Sequence, residues 1–161
     1  MHSRADELVR RLGLQPHPEG GFYREIFRSA RRVQPFDARP ARSGLTLIYF
    51  LLADGGASRW HRVASDEAWS WVEGDALELF RIPAALDGFT RERLGAPGEG
   101  VEAAAVVPAG EWQAARTTGA YTLVTCAVGP GFDFADFRMM GDDAEVADEV
   151  RRRHPEAAAL I

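Results

Sequence analysis

Gly55-Gly56-Ala57-Ser58-Arg59-Trp60-His61-Arg62-Val63-Ala64-Ser65-Asp66-Glu67-Ala68-Trp69-Ser70-Trp71-Val72-Glu73-Gly74 is the stretch on which the reading of this 161-residue chain turns. It begins at a glycine pair and ends at Gly74, which can supply the positive φ of a tight hairpin. Successive strand side chains point to opposite faces, so His61 and Val63 share one face, and Glu67, Trp69 and Trp71 share one as well. If those faces look inward, the outcome is an aromatic-walled cavity holding a histidine and a carboxylate.

Outward from this stretch the pattern remains that of short strands. Residues 22–27 follow the Gly20-Gly21 turn, and 45–52 are rich in β-branched, aromatic and leucine residues before Asp54-Gly55-Gly56 ends the run. Residues 68–72 and 76–82 flank the Glu73-Gly74-Asp75 turn, and 102–107, 112–116, 121–128 and 132–139 complete the series. Ser3 with Asp6, Leu8, Val9 and Leu12 predicts a capped helix ending at Gly13. Asp142 with Glu145, Val146 and Val150 predicts a second helix over about 142–154, stopped by His154-Pro155. Residues 83–100, with Pro83, Gly88, Gly95, Pro97, Gly98 and Gly100, read as a loop or loose hairpin. Residues 28–44, with five arginines, read as a solvated loop. There is no repeat and no heptad pattern. Many short strands with a helix at each end predict an all-β sandwich or barrel.

Composition narrows the function classes. The length suits one domain, 1–161, and 46% hydrophobic residues are enough for a core. A formal net charge of −5 argues against a nucleic-acid or anionic-membrane partner, which would need a basic face. The longest apolar run, 47–53, is far short of the about 20 residues a membrane-spanning helix needs. The charged N-terminus lacks the apolar core of a secretory signal. Cys126 is alone, which excludes an internal disulfide and fits a reducing cytosol, so a cytoplasmic protein is expected.

Spacing then carries a resemblance. Gly55, His61, Glu67 and Gly74 fall where the cupin superfamily's first motif, G-x5-H-x-H-x(3,4)-E-x6-G, places its glycines, first histidine and glutamate. Val63 stands in place of the second histidine. Pro108 and Gly110 match the second motif, P-x-G-x2-H-x3-N, but Gln113 replaces its histidine and Thr117 its asparagine. Four ordered blocks sharpen the likeness: His17-Pro18-Glu19-Gly20-Gly21-Phe22-Tyr23-Arg24-Glu25, 58–67, Pro108-Ala109-Gly110-Glu111-Trp112-Gln113, and 129–137. Together they resemble the cupin-5 family over about residues 6–140, a family in which valine and glutamine at the two altered positions are usual. The resemblance implies a jelly-roll barrel with an internal pocket, built as a homodimer and related in structure to sugar-nucleotide epimerases and isomerases. Fold likeness alone does not establish chemistry.

On that basis a small-molecule pocket is expected, with His61 and Glu67 as proton-transfer residues and Gln113, Trp69, Trp71, Tyr49, Arg24 and Thr117 as ligand-binding candidates. Trp69 and Trp71 read equally as core, and Arg24 reads first as half of a surface salt bridge, against an anion-binding role at the pocket mouth. His61, Glu67 and Gln113 could instead hold a divalent metal (zinc, manganese, iron or nickel), the amide oxygen being the weakest donor. His2, His17 and His154 show no ligand spacing and read as solvated or local capping groups. The function expected is that of an isomerase or epimerase acting on a polar, sugar-like or carbonyl-bearing metabolite. The alternatives are a non-catalytic metabolite-binding protein and a metal-dependent enzyme.

Overall fold

The computed structural model of the chain describes residues 2–161. Helix α1 (Ser3–Leu12) leads into β1 (Gln15–Pro16) and β2 (Phe22–Arg28), and two short strands, β3 (Arg32–Val33) and β4 (Arg42–Ser43), lie within the arginine-rich segment. Then come β5 (Thr46–Ala53), β6 (Ala57–Val63), β7 (Asp66–Gly74), β8 (Leu77–Ile82) and β9 (Thr90–Leu94). They are followed by β10 (Ala104–Val107), β11 (Trp112–Thr117), β12 (Tyr121–Gly129) and β13 (Phe137–Met139). Helix α2 (Ala144–Arg153) and a final 3-10 segment, Pro155–Leu160, close the chain.

The strands form two antiparallel sheets facing each other as a jelly-roll barrel. One runs β1-β2-β5-β12-β7-β10, the other β13-β6-β11-β8-β9, and β3 pairs with β4 separately. Strand alternation sorts the side chains into layers. Phe50 and Leu52 join Trp69, Leu77, Leu79 and Leu94 between the sheets, whereas Leu51 and Leu123 face outward under α1, against Leu8 and Leu14. On the opposite outer face, Trp60, Trp112 and Ile82 pack against Met140, Ala147 and Val150. The Trp60 indole N–H donates to the Ala157 carbonyl at 2.8 Å, tying the C-terminal segment to β6.

The mainly-β reading with a helix at each end holds, and three local expectations are revised. Residues 132–139 are not one strand: the Asp133 side chain accepts from the Ala135 N–H and turns the chain into a 3-10 segment, Phe134–Asp136, before β13. The 28–44 segment, read as a solvated loop, holds the paired strands β3 and β4 and buries Arg42 and Ser43, whereas 83–100 takes its hairpin alternative, β9 pairing with β8. The cap of α2 is Asp143, whose carboxylate accepts from the Val146 N–H, one residue later than expected. Among the described residues no helix is long and apolar enough to cross a membrane.

The turn before β2 folds across one end of the barrel. Gly20 N–H donates to the His17 carbonyl at 3.0 Å, and His17 N–H to the Gly21 carbonyl at 3.0 Å. Arg59 N–H then donates to the Glu19 carbonyl at 2.8 Å, so the turn is pinned to the start of β6. Gly20 has φ +113°, and a Cβ there would sit 2.2 Å from the Ala57 carbonyl oxygen. We therefore expect Gly20→Ala to cost more than about 1 kcal/mol, lowering the midpoint of thermal unfolding by at least about 2–4 °C in a calorimetric comparison with the native chain.

Candidate functional site

A cavity of about 480 Å³ occupies one end of the barrel. Strand register explains why it lies at one end only. Along β5 the inward side chains are Thr46, Ile48 and Phe50, which line the cavity, and then Leu52, which belongs to the core. On β12 their partners run Val128, Cys126 and Val124, and Val128 and Cys126 pair in turn with Glu67 and Trp69 of β7. Beyond Trp69 the interior is filled by Leu52, Leu77, Leu79, Leu94 and Val124. The barrel is thus a pocket at one end and a packed core at the other.

Three of the residues singled out by spacing meet here. His61 and Trp69 are buried in the cavity wall, and Glu67 is 7% exposed beside them. Gln113 stands directly behind them: its oxygen accepts from the Trp69 indole N–H at 2.9 Å and its amide donates to Glu67 Oε2 at 2.6 Å. An indole N–H can only donate, so this fixes which end of the amide is oxygen.

Two cavity residues are not reached by spacing. Glu19 lies buried over His61, with its Oε2 3.3 Å from His61 Nε2 and 3.3 Å from His17 Nδ1, while the Ser58 hydroxyl donates to Oε1 at 2.8 Å. His17, expected to be solvated, has a side chain only 7% exposed and lines the cavity. The only available signal was the His17-Pro18-Glu19-Gly20-Gly21 block itself. Its paired glycines fold the turn across the barrel end, which no strand periodicity reveals.

The other candidates lie outside the cavity, and alternation or register gives the reason. Tyr23 and Glu25 of β2 line the cavity, so Arg24 between them faces out, opposite Tyr49, which packs under α1. Trp71 falls where the β7–β12 register shifts, Val124 pairing with Trp71 and Leu123 with Glu73, and lies beyond the cavity floor. Thr117 shares parity with Gln113 but sits at the packed end, where its hydroxyl bonds that of Thr122 at 2.7 Å.

The electrostatics divide the two buried carboxyls. His61 Nδ1 faces the Arg59 carbonyl at 2.8 Å and must donate there, so Nε2 is the nitrogen turned to Glu19. A hydrogen bond across that gap requires one shared proton. For Glu19, burial opposes ionisation, but attraction to His61, the nearby His17 and the hydrogen bond donated by Ser58 outweigh it and hold the carboxyl below the usual range. For Glu67, burial dominates, attraction to His61 only partly offsets it, and repulsion from Glu19 adds to it, so its carboxyl is pushed up. Burial also raises the Cys126 thiol, keeping this wall residue protonated and inert.

The donor set does not fit the metal that the fold family implies. Gln113 turns its oxygen to Trp69 and presents an amide N–H₂ to Glu67, so it offers no lone pair to a cation. Val63 occupies the cavity wall where a further histidine would be needed. Among the described residues no group of three or more histidine, cysteine, aspartate or glutamate side chains is arranged to hold a metal ion.

The raised Glu67 carboxyl has a consequence for stability. A group whose folded pKa exceeds its unfolded value contributes stability that is full below the unfolded pKa and lost as pH rises through the folded one. Glu67→Gln keeps an acceptor for the Gln113 amide and removes the titration. Its unfolding midpoint relative to the native chain therefore climbs from acid to neutral pH, as thermal melts across that range would show. A constant difference would contradict the assignment.

Residues 6–140 match the protein family described as "Cupin superfamily (DUF985)". Among solved structures, a hypothetical protein from Leishmania major is 32% identical with a TM-score of 0.84, covering 98% of this chain and 96% of its own. A protein from Shewanella oneidensis is 32% identical with a TM-score of 0.80, covering 97% and 93%. Oxalate decarboxylase from Bacillus subtilis shares the fold at 12% identity and a TM-score of 0.58, over 91% of this chain and 37% of its own. No curated protein matches the sequence. With the family match spanning most of the chain and the barrel carrying its pocket at one end, the chain belongs to the DUF985 family of the cupin superfamily.

Proposed function

We propose that the protein is a proton-transfer enzyme of the isomerase or epimerase type, acting without a bound metal on a small carbonyl-bearing polar metabolite. The observation that carries this reading is the pair of buried carboxyls that share the wall of one cavity with His61, Glu19 held ionised and Glu67 held toward its neutral form. Neighbouring groups driven apart in this way supply a base and an acid at the same pH.

In the proposed step the Glu19–His61 pair takes the proton from the carbon next to the carbonyl. The electron pair of the broken C–H bond enters the new C=C bond, and the carbonyl oxygen receives the proton of Glu67. Delivery of that proton to the former carbonyl carbon, with Glu67 taking up the proton of the hydroxyl that becomes the new carbonyl, yields the isomer; delivery to the original carbon yields the epimer only when the enediol has turned its opposite face to the pair. Gln113 holds Glu67 and Trp69 in place.

A second reading, a non-catalytic metabolite-binding protein, is favoured by one observation. Both His61 nitrogens and the Gln113 amide already face protein groups. The metal-dependent reading with His61, Glu67 and Gln113 as ligands is not carried forward, because the Gln113 oxygen is committed to Trp69.

Solvent deuterium separates the first two. With a panel of aldoses and ketoses, free and phosphorylated, incubated in heavy water, the enzyme reading expects deuterium at the carbon beside the carbonyl. Glu67→Gln and His61→Ala should slow that exchange by about 100-fold or more. The rate should rise as Glu19 ionises below the usual carboxylate range and fall as Glu67 ionises above it, giving a broad plateau between. Binding without exchange would establish the non-catalytic reading.

A further inference from the structure

The one guanidinium of the cavity wall and the carboxyls of Glu19, Glu25 and Glu67 are answered from within the protein. All nineteen basic residues of the chain are arginines, since the sequence contains no lysine, and Arg28 is the sole arginine in the cavity wall among the described residues. Its Nε donates to Glu25 Oε1 at 2.9 Å and its Nη2 to Glu25 Oε2 at 2.7 Å, a bidentate fork, while Nη1 donates to the Phe132 carbonyl at 3.1 Å. The other arginines of the 28–44 segment that have partners are engaged elsewhere. Arg39 and Arg42 both reach Asp136, and Arg32 donates to the Ala41 carbonyl. An anionic ligand would therefore enter a wall with four carboxyl side chains (Glu19, Glu25, Glu67 and Asp133) and no free guanidinium.

A cationic ligand fares no better at depth. Glu19 is taken by His17, His61 and Ser58, Glu67 by Gln113, and Glu25 by Arg28. Asp133, at the mouth, spends one oxygen on the Ala135 N–H. The mouth instead offers ring faces: Phe132, Phe134 and Phe137 pack edge to face with centroids 5.0–6.0 Å apart, and Tyr23 stands against His17 at 4.5 Å. Such rings suit the C–H face of a compact polar molecule, whose hydroxyl and carbonyl groups then meet the deeper polar side chains.

We infer that the cavity takes an uncharged, ring-forming polyhydroxy carbonyl compound of the free-sugar class, and rejects its phosphorylated, carboxylated and aminated counterparts. This deepens the small-molecule reading above and rests on it.

The test reads binding and not turnover, so failure of the proton-transfer chemistry leaves it intact. Glucose, galactose and mannose are each compared with their 6-phosphate, uronate and 2-amino forms by saturation-transfer NMR and calorimetry. The expected result is binding of at least one neutral sugar, with its three charged forms weaker by about tenfold or more, the penalty for an unmatched charge in a partly desolvated site. Glu25→Gln, at an exposed position, frees Arg28. It should shift the ratio of 6-phosphate to neutral-sugar affinity toward the phosphate by about tenfold. A charged form that binds the native protein as well as its neutral parent overturns the inference. So does absence of binding by every neutral sugar, or a Glu25→Gln variant, folded by its melt, with no shift of that ratio. Exchange of deuterium into a phosphorylated sugar would keep the enzyme reading and discard this one.

Discussion

A carboxylate drawn out of water between two imidazoles organises the working end of this molecule. Isolated, an ionised Glu19 in the interior would cost several kcal/mol. It persists because His61 and His17 flank one oxygen and the Ser58 hydroxyl serves the other. Those partners come from two chain segments, so the same contacts that satisfy the charge also hold the 17–21 turn over β6. The turn's own constraint is the tight approach of Gly20 to the Ala57 carbonyl, where only a residue without a side chain fits. Charge satisfaction and backbone packing thus converge on one corner of the barrel.

The rest of the barrel frees that corner from the work of stability. Leucines and Val124 fill the opposite end, α1 covers one outer face, and α2 with the C-terminal segment covers the other. Trp69 marks the boundary: one side of it belongs to the core, and its indole N–H is answered by Gln113. Left unanswered, that buried donor would cost about 1–3 kcal/mol, which explains why a glutamine serves here as a brace between Trp69 and Glu67. Replacement of a metal-binding histidine by an amide, read from sequence as a weakened ligand, is in the structure a change of task.

Period-two alternation made much of this visible in advance. The strand over 57–63 and the one after it place His61, Glu67 and Trp69 on the wall as parity demands, and Trp60 and Trp112 pack on the helix side as their offset parity requires. Parity says nothing of depth along the barrel. Trp71 pairs with Val124, beyond Trp69 and before the register shift, and Thr117 likewise has the right face but the wrong end of the barrel. Tyr49 and Arg24 have suitable chemistry but alternate with the inward residues Phe50, Tyr23 and Glu25, which puts both on the outer face. Glu19 meets Ser58 and His61 some forty residues on, and His17 reaches the cavity with it, across a turn whose geometry depends on glycine φ values and not on hydrophobic period. The Phe-rich segment before β13 resembled a strand by alternation, yet Asp133 bonds its own backbone and bends it into the mouth of the cavity.

Direct titration of the two carboxyls tests their division into base and acid at its root. With glutamate labelled at the side-chain carboxyl carbon, and Glu19 and Glu67 assigned by single substitution, carbon NMR follows each group across the pH range. Glu19 should ionise below the usual carboxylate range and Glu67 above it, with the Glu67 signal moving toward the usual range when Glu19 is replaced by glutamine. Two carboxyls titrating together at ordinary values, or in the reverse order, would remove the acid–base division on which the proposed chemistry stands.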